Sequence, residues 1–284
     1  MPSLYATAFE GLMYALLALA LRRAWRNGRA PAVLRLLVGV LYGVLLEAAT
    51  IAQLDAYHYG RFWVMVTPEV PLAIGVGWGV IVDGVRAYTR NLNLAPWQRA
   101  VLNGLLALNI DLAMDAIAIR LGFWDWGQGF DFQFFGVPWA NFWAWFWVVA
   151  GFTLALETLD GPGWRGWLAP WAALALGVLV VLGTNALLVF GLHPLGVANE
   201  AVALVLGLAL LGAVRSRFWE RRQPARDPWP GQVAAAFHGY FLLAGVLSGA
   251  ALRPPWLLVV GVLMALLAHG LYGRRTRGAG FSTP

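Results

Sequence analysis

The chain has 284 residues, of which 60% are hydrophobic and 12% charged, and this excludes an ordinary soluble domain, which is about half apolar and a quarter charged. Its basic side chains number 20, all of them Arg, and the formal net charge is +6; they sit in short segments between apolar runs, which argues against a nucleic-acid-binding face and for topology signals. Cys is absent, which excludes disulfides, thiolate metal sites and cysteine nucleophiles.

Apolar runs punctuated by Arg and Pro predict helices over 4–21, 32–54, 69–88, 100–120, 135–157, 168–192, 195–214, 233–252 and 255–272. Several reach the roughly 20 residues that span about 30 Å of hydrocarbon. The first run, Tyr5 to Arg22, contains Glu10 and lacks a basic leader and a small-residue cleavage site, so it reads as a retained helix and not as a signal peptide. The turns at His193-Pro194 and at Arg253-Pro254-Pro255 make two antiparallel helical pairs of the last four runs. Arginines then sort by side. Arg22, Arg23, Arg26, Arg29 and Arg35, then Arg86, Arg90 and Arg99, then Arg165, the run from Arg215 to Arg226, and Arg274, Arg275 and Arg277 fall on one side, against Arg61, Arg120 and Arg253 on the other. The expected fold is an all-α polytopic transmembrane helical bundle, one domain over 1–284, with nine spans, or eight if the first does not cross. By the positive-inside rule its N-terminus is outside and its C-terminus cytoplasmic.

Two loops on the outer side, Asp55-Ala-Tyr-His-Tyr-Gly-Arg-Phe-Trp63 and Phe123-Trp-Asp-Trp-Gly-Gln-Gly-Phe-Asp131, are rich in aromatics, Gly and acids. An aromatic belt accounts for the scattered Trp residues; the clustering of Gly, Trp and Asp in two loops of one face suggests a structured lid. Ionisable side chains inside the spans are functional candidates because each costs a few kcal/mol to insert. Glu47 lies two-thirds of the way along the second helix, and Asp111 and Asp115, four residues apart, share one face of the fourth. Asn141 lies about two turns below the outer surface on the fifth helix. At ~1.5 Å per residue these four residues fall roughly 8–15 Å beneath that surface, in one stratum. Pro68-Glu69-Val70-Pro71 opens the third predicted helix, and Asn199 and Glu200 descend from the same side. Two carboxyls one turn apart repel when both are ionised, so one of them is expected to hold a proton.

Interhelical Asp–Asn pairing is the competing structural explanation for these polar residues. It is preferred for Asn103, Asn109 and Asn185 taken singly, and Gly75, Gly77 and Gly79 read as a close-packing surface, since no phosphate-loop spacing follows them. His58, His193, His238 and His269 are dispersed, which argues against a metal site. No Gly-x-Ser-x-Gly elbow is present. The Asn109-x-Asp-x-x-x-Asp115 string has a likeness to the aspartate motifs of membrane prenyltransferases, but a second aspartate-rich segment and basic residues at that depth are missing.

Three linked strings carry a family resemblance: Asp111-Leu-Ala-Met-Asp115, Gly122-Phe-Trp-Asp-Trp126 and Phe135-Gly-Val-Pro-Trp-Ala-Asn-Phe-Trp-Ala-Trp145. With Glu47, Tyr57-His-Tyr-Gly60, Pro71 and Trp78 before them, the segment over 40–150 resembles the CruF-like carotenoid biosynthesis proteins. The chain departs from that pattern at Ala116, where Pro is usual. The resemblance implies a hydratase that adds water, without cofactor or metal, across the terminal isopropylidene double bond of a linear or monocyclic carotenoid. It points to Asp111, Asp115, Glu47 and Asn141 for the acid chemistry and water, and to Tyr59, Glu69, Trp78, Trp124, Trp126 and Trp145 for the polyene end. It further implies a multi-pass protein of a bacterial or archaeal cell membrane, with the carotenoid, the lipid bilayer and other carotenoid enzymes as partners and no nucleic acid. Two other functions fit the residues. One is a carotenoid- or lipid-binding membrane protein without catalysis. The other is a proton-coupled transporter, against which stand the lack of an inverted repeat and of matching polar residues in the inner half.

Overall fold

The computed structural model describes residues 1–217 and 227–273. Arg221, Arg222, Arg226, Arg274, Arg275 and Arg277, which entered the topology argument, lie outside the described residues.

The chain is all-helical apart from one short ribbon. In order it forms α1 (Leu4–Leu54), β1 (His58–Tyr59), α2 (Leu72–Thr89), α3 (Pro96–Arg120), β2 (Trp124–Asp125), α4 (Trp139–Leu159), α5 (Arg165–Ala186), α6 (Ala198–Arg215), α7 (Trp229–Ser248) and α8 (Trp256–Gly273). A π-helical turn, Leu187–Leu192, extends α5. Of the eight α-helices among the described residues, seven are long and apolar enough to cross a membrane; α2, rich in glycine and carrying Asp83 and Arg86, is not one of them.

The first two predicted helices run into one another. Ser3 caps α1 by accepting a hydrogen bond from the Ala6 amide at 3.0 Å, and helical geometry then continues past Arg22 to a break at Arg29, where φ is 54° and ψ −149°. Pro31 follows, and helix resumes to Leu54. The 51 residues of α1 would extend about 75 Å if straight, far more than one bilayer; the break makes two segments of them.

Among the expected starts that are displaced, two fall directly after a proline. The third predicted helix begins at Leu72 and not at 69: Pro68 and Pro71 lack N–H groups and favour extended residues before them. The segment before Leu72 turns instead, the Val66 amide donating to the Val70 carbonyl at 2.9 Å. Likewise α4 begins at Trp139 after Pro138, because Phe135 and Gly136 take left-handed backbone with φ of 52° and 94°.

The tightest helix seam joins α1 to α2. Gly39 and Gly43 face Gly75 and Gly79, two pairs of small residues spaced by four, which lets the backbones touch. A Cβ on Gly43 would lie 2.6 Å from the Trp78 Cβ and 3.0 Å from the Gly75 Cα, and one on Gly79 would lie 2.9 Å from the Val40 amide nitrogen. Gly77 is on the other side of α2, near Met13 and Phe237. The bundle has two chemically different ends. At one, Glu10 accepts from the amides of Trp63 at 2.6 Å and Val64 at 3.1 Å. At the other, Arg23 pairs with Asp83 at 3.0 Å, and Arg86 and Arg99 pair with Glu157 at 2.6 and 2.9 Å.

Candidate active site

Helical periodicity brings the buried acids together. Asp111 and Asp115 are one turn apart on α3, and Asn141, in the first turn of α4, reaches across to both. Its Nδ2 donates to Asp115 Oδ2 at 2.8 Å and is 3.2 Å from each oxygen of Asp111. The close approach of α3 and α4 at Gly104, where a Cβ would lie 2.7 Å from the Phe146 ring, sets that reach. Exposures of 0% for Asp111, 2% for Asp115, 4% for Glu47 and 7% for Asn141 place all four out of bulk solvent.

Glu47 stands one helical turn beyond Gly43, so the glycine seam delivers it to Trp78 of α2. The Trp78 indole donates to Glu47 Oε1 at 2.7 Å, and the Tyr57 hydroxyl donates to Oε2. Tyr59 and Trp124 line the same cavity as Glu47 and Asp115. Tyr57, Tyr59 and Trp124 come from the outer loops, which zip into the β1–β2 ribbon with His58 opposite Asp125 and Tyr59 opposite Trp124. Burial, reinforced by the Glu47 charge, pushes the phenols of Tyr57 and Tyr59 well above the ordinary tyrosine range. They therefore stay protonated at neutral pH and act as donors.

A cavity of about 660 Å³ opens over this group, a size suited to part of a long apolar ligand. Glu47, Asp115 and Asn141 line it together with Trp78, Trp124, Trp126, Trp145 and Tyr59. The rings of Trp78 and Trp145 lie 4.2 Å apart, and Trp126 packs on Tyr57 at 4.7 Å. Asp55, Gln128, Gln133, His193 and Asn199 also line it and are exposed, which gives it a polar mouth at the end that carries the ribbon.

The structure separates some of the candidates. Asp111 is not a lining residue; it sits behind Asn141. Glu69 is exposed in the turn before α2 and does not line the cavity, because the two prolines that resembled a helix start hold it in a turn. Asn109 faces away, donating to the Met264 carbonyl at 3.0 Å and lying 3.0 Å from His238 Nε2, and Asn103 accepts from Thr89 at 2.8 Å; both serve packing between helices. Glu200 is exposed.

Other cavity residues are not among the sequence-based site candidates. Tyr57 is the main one, and a Tyr two positions from Tyr59 in a strand-like string was its signal. Thr50 lies three residues beyond Glu47, on the same helix face, and its hydroxyl has no partner among the described residues. Asn185 and His193 come from α5 and its π-helical extension, a distortion common at functional sites. Among the described residues no three His, Asp or Glu side chains are grouped so as to hold a metal ion.

Comparison with known proteins adds a family assignment to this geometry. No curated protein and no solved structure matches the chain. A family model described as carotenoid biosynthesis protein matches residues 6–214, which takes in α1 to α6, the ribbon and every residue of the carboxyl cluster. The apolar helices and the acid-floored cavity are thus those of a membrane protein with a role in carotenoid biosynthesis, and the chain belongs to the carotenoid biosynthesis protein family.

Proposed function

We propose that the protein is a carotenoid hydratase, adding water across the terminal isopropylidene double bond of a linear or monocyclic carotenoid. Support comes from one arrangement above all: a buried acid, Asp115, on the floor of an aromatic cavity, with a second carboxyl, Glu47, held by neutral donors beside it. Two carboxyls sharing one amide in a dry core repel as a double anion, so Asp111 and Asp115 keep a proton between them. Asp115, the member in contact with the cavity, delivers it.

The proton goes to the less substituted alkene carbon, and the π electrons form the new C–H bond. This leaves a tertiary cation, which the faces of Trp78 and Trp145 and the Glu47 charge stabilise. Water adds its oxygen to the cationic, more substituted carbon and gives a proton to Glu47, and return of this proton to Asp115 resets the site. Carotenoid and water combine into one tertiary alcohol, with no change of oxidation state to be supplied from outside. The polyene lies among the apolar and aromatic walls, with Trp124, Trp126, Trp145 and Tyr59 around its reacting end. Water comes through the polar mouth. Expression in a lycopene-producing host tests the activity: a hydroxylated product from lycopene or a monocyclic carotene is expected. Co-purification of chemically unchanged pigment, with no such product, would make the protein a carotenoid-binding one.

In this reading the chain crosses the membrane nine times, the two segments of α1 counting separately and the glycine-rich, largely buried α2 crossing inside the bundle, with its N-terminus outside. Contacts of Glu10 with the loop before α2, and the gathering of Arg23, Arg35, Arg86 and Arg99 at the opposite end, favour this orientation. The natural absence of Cys makes it easy to check. Glu200→Cys should react with a membrane-impermeant maleimide in intact cells and Trp164→Cys only after lysis; the opposite pattern would invert the topology.

A further inference from the structure

The Arg-rich end of the bundle holds a second cleft, of about 300 Å³, lined by Arg35 of α1, Arg86 and Arg90 of α2, and Glu157, Asp160 and Gly161 at the end of α4. Its acids are already taken. Glu157 receives Arg86 at 2.6 Å on one oxygen and Arg99 at 2.9 Å on the other, while Asp160 receives Arg86 at 3.1 Å and Arg35 at 3.5 Å. Three guanidinium groups thus pair with two carboxylates, and the unpaired Arg90 in the same cleft makes four positive groups against two negative. The adjoining Arg23, Asp83 and Asp227 form their own ion-paired triad, and with it the count becomes five positive against four negative. The surplus positive charge has an address: Arg90 is exposed at the end of α2 and has no ion pair among the described residues. The neighbouring Arg86 guanidinium, with burial second, holds Arg90 below the ordinary arginine range, a sign of crowded positive charge.

The depth of the cleft is marked independently. Just beyond Gly161, Trp164, Trp167 and Trp171 of the α5 start are 70, 48 and 47% exposed, and exposed tryptophans of this kind sit at the level of lipid headgroups. A guanidinium matches phosphate oxygens in a planar, two-pronged way, and basic pockets between transmembrane helices suit anionic headgroups. We propose that this cleft binds the phosphodiester of an anionic phospholipid, with Arg90 as its principal contact and Arg35 beside it. The site is separate from the carboxyl cavity and does not depend on the hydratase reading.

Purified full-length protein in micelles provides the test, with phosphatidylglycerol, phosphatidylcholine and inorganic phosphate as probes and thermal unfolding and native mass spectrometry as readouts. Phosphatidylglycerol should raise the unfolding temperature and be retained in the gas phase. Arg90→Gln, which breaks no ion pair and so leaves the fold intact, should weaken that binding about fivefold, the worth of one basic residue near a charged lipid surface; Arg90→Lys should restore most of it. Equal retention of phosphatidylglycerol by Arg90→Gln, or an equal response to phosphatidylcholine, would overturn the proposal. Stabilisation by inorganic phosphate alone at millimolar concentration would make the cleft a free-anion site and overturn the lipid assignment.

Discussion

Asp115→Asn is expected to insert and fold normally and yet to form tertiary alcohol about 10²–10⁴-fold more slowly, the range that a positioned general acid contributes. Asn preserves the size of the side chain but supplies no transferable acidic proton, and Asn141 still finds an oxygen to bond at this position. Asp111→Asn should cost less, because Asp111 meets the cavity only through Asn141. Pigment extracts from a lycopene-producing host, normalised to the amount of protein in the membrane, give the comparison. Full activity in Asp115→Asn would remove acid catalysis from this site and leave the Asp–Asn cluster as interhelical adhesive. The order matters too: a loss in Asp111→Asn with Asp115→Asn unaffected would put the proton donor on the wrong residue.

The second large effect concerns stability. Gly75→Val places a branched side chain where a bare Cβ already lies 3.0 Å from the Val40 carbonyl and 3.2 Å from the Val44 amide nitrogen, both backbone atoms of α1. Since the backbones cannot yield without parting the helices, the overpacking cost of about 1–3 kcal/mol applies in full. Thermal unfolding in detergent should show it as a lowered transition. Activity should fall with it, because the same seam holds the Trp78 indole 2.7 Å from Glu47. Gly183→Ala is the control: nothing lies within 4 Å of its Cβ position, so this change is neutral or slightly stabilising by the helix preference of Ala. Gly75→Val matching wild-type stability would show that the seam tolerates separation.

Much of the site was legible because its members obey simple periodicities. A spacing of four puts Asp111 and Asp115 on one face, and rise per residue alone sets Glu47 and Asn141 at their depth. These residues do meet. The all-helical architecture was legible from the apolar runs, and the small-residue pattern of α2 correctly foreshadowed close packing at Gly75 and Gly79. Illegible were features fixed by contacts across the bundle. That Asn141 stands between Asp111 and the cavity depends on the rotation of α4 about its axis, which is fixed by packing across the bundle and which no local pattern encodes. Glu69 was misjudged because Pro-x-x-Pro before an apolar run looks like a helix start, whereas each proline also withholds a backbone donor and bends the chain. Asn185 looked like an isolated packing amide, since a sequence does not reveal where α5 will swing it. The unbroken continuation of helix through Arg22 to Arg29 escaped notice because polar residues at a membrane boundary resemble a loop whether or not they coil.

The β1–β2 ribbon pairs Tyr59 with Trp124, so that two of the rings lining the cavity with Glu47 and Asp115 are fastened into one two-stranded unit. Whatever shifts one strand therefore carries both rings with it, and the surroundings of the two carboxyls change together.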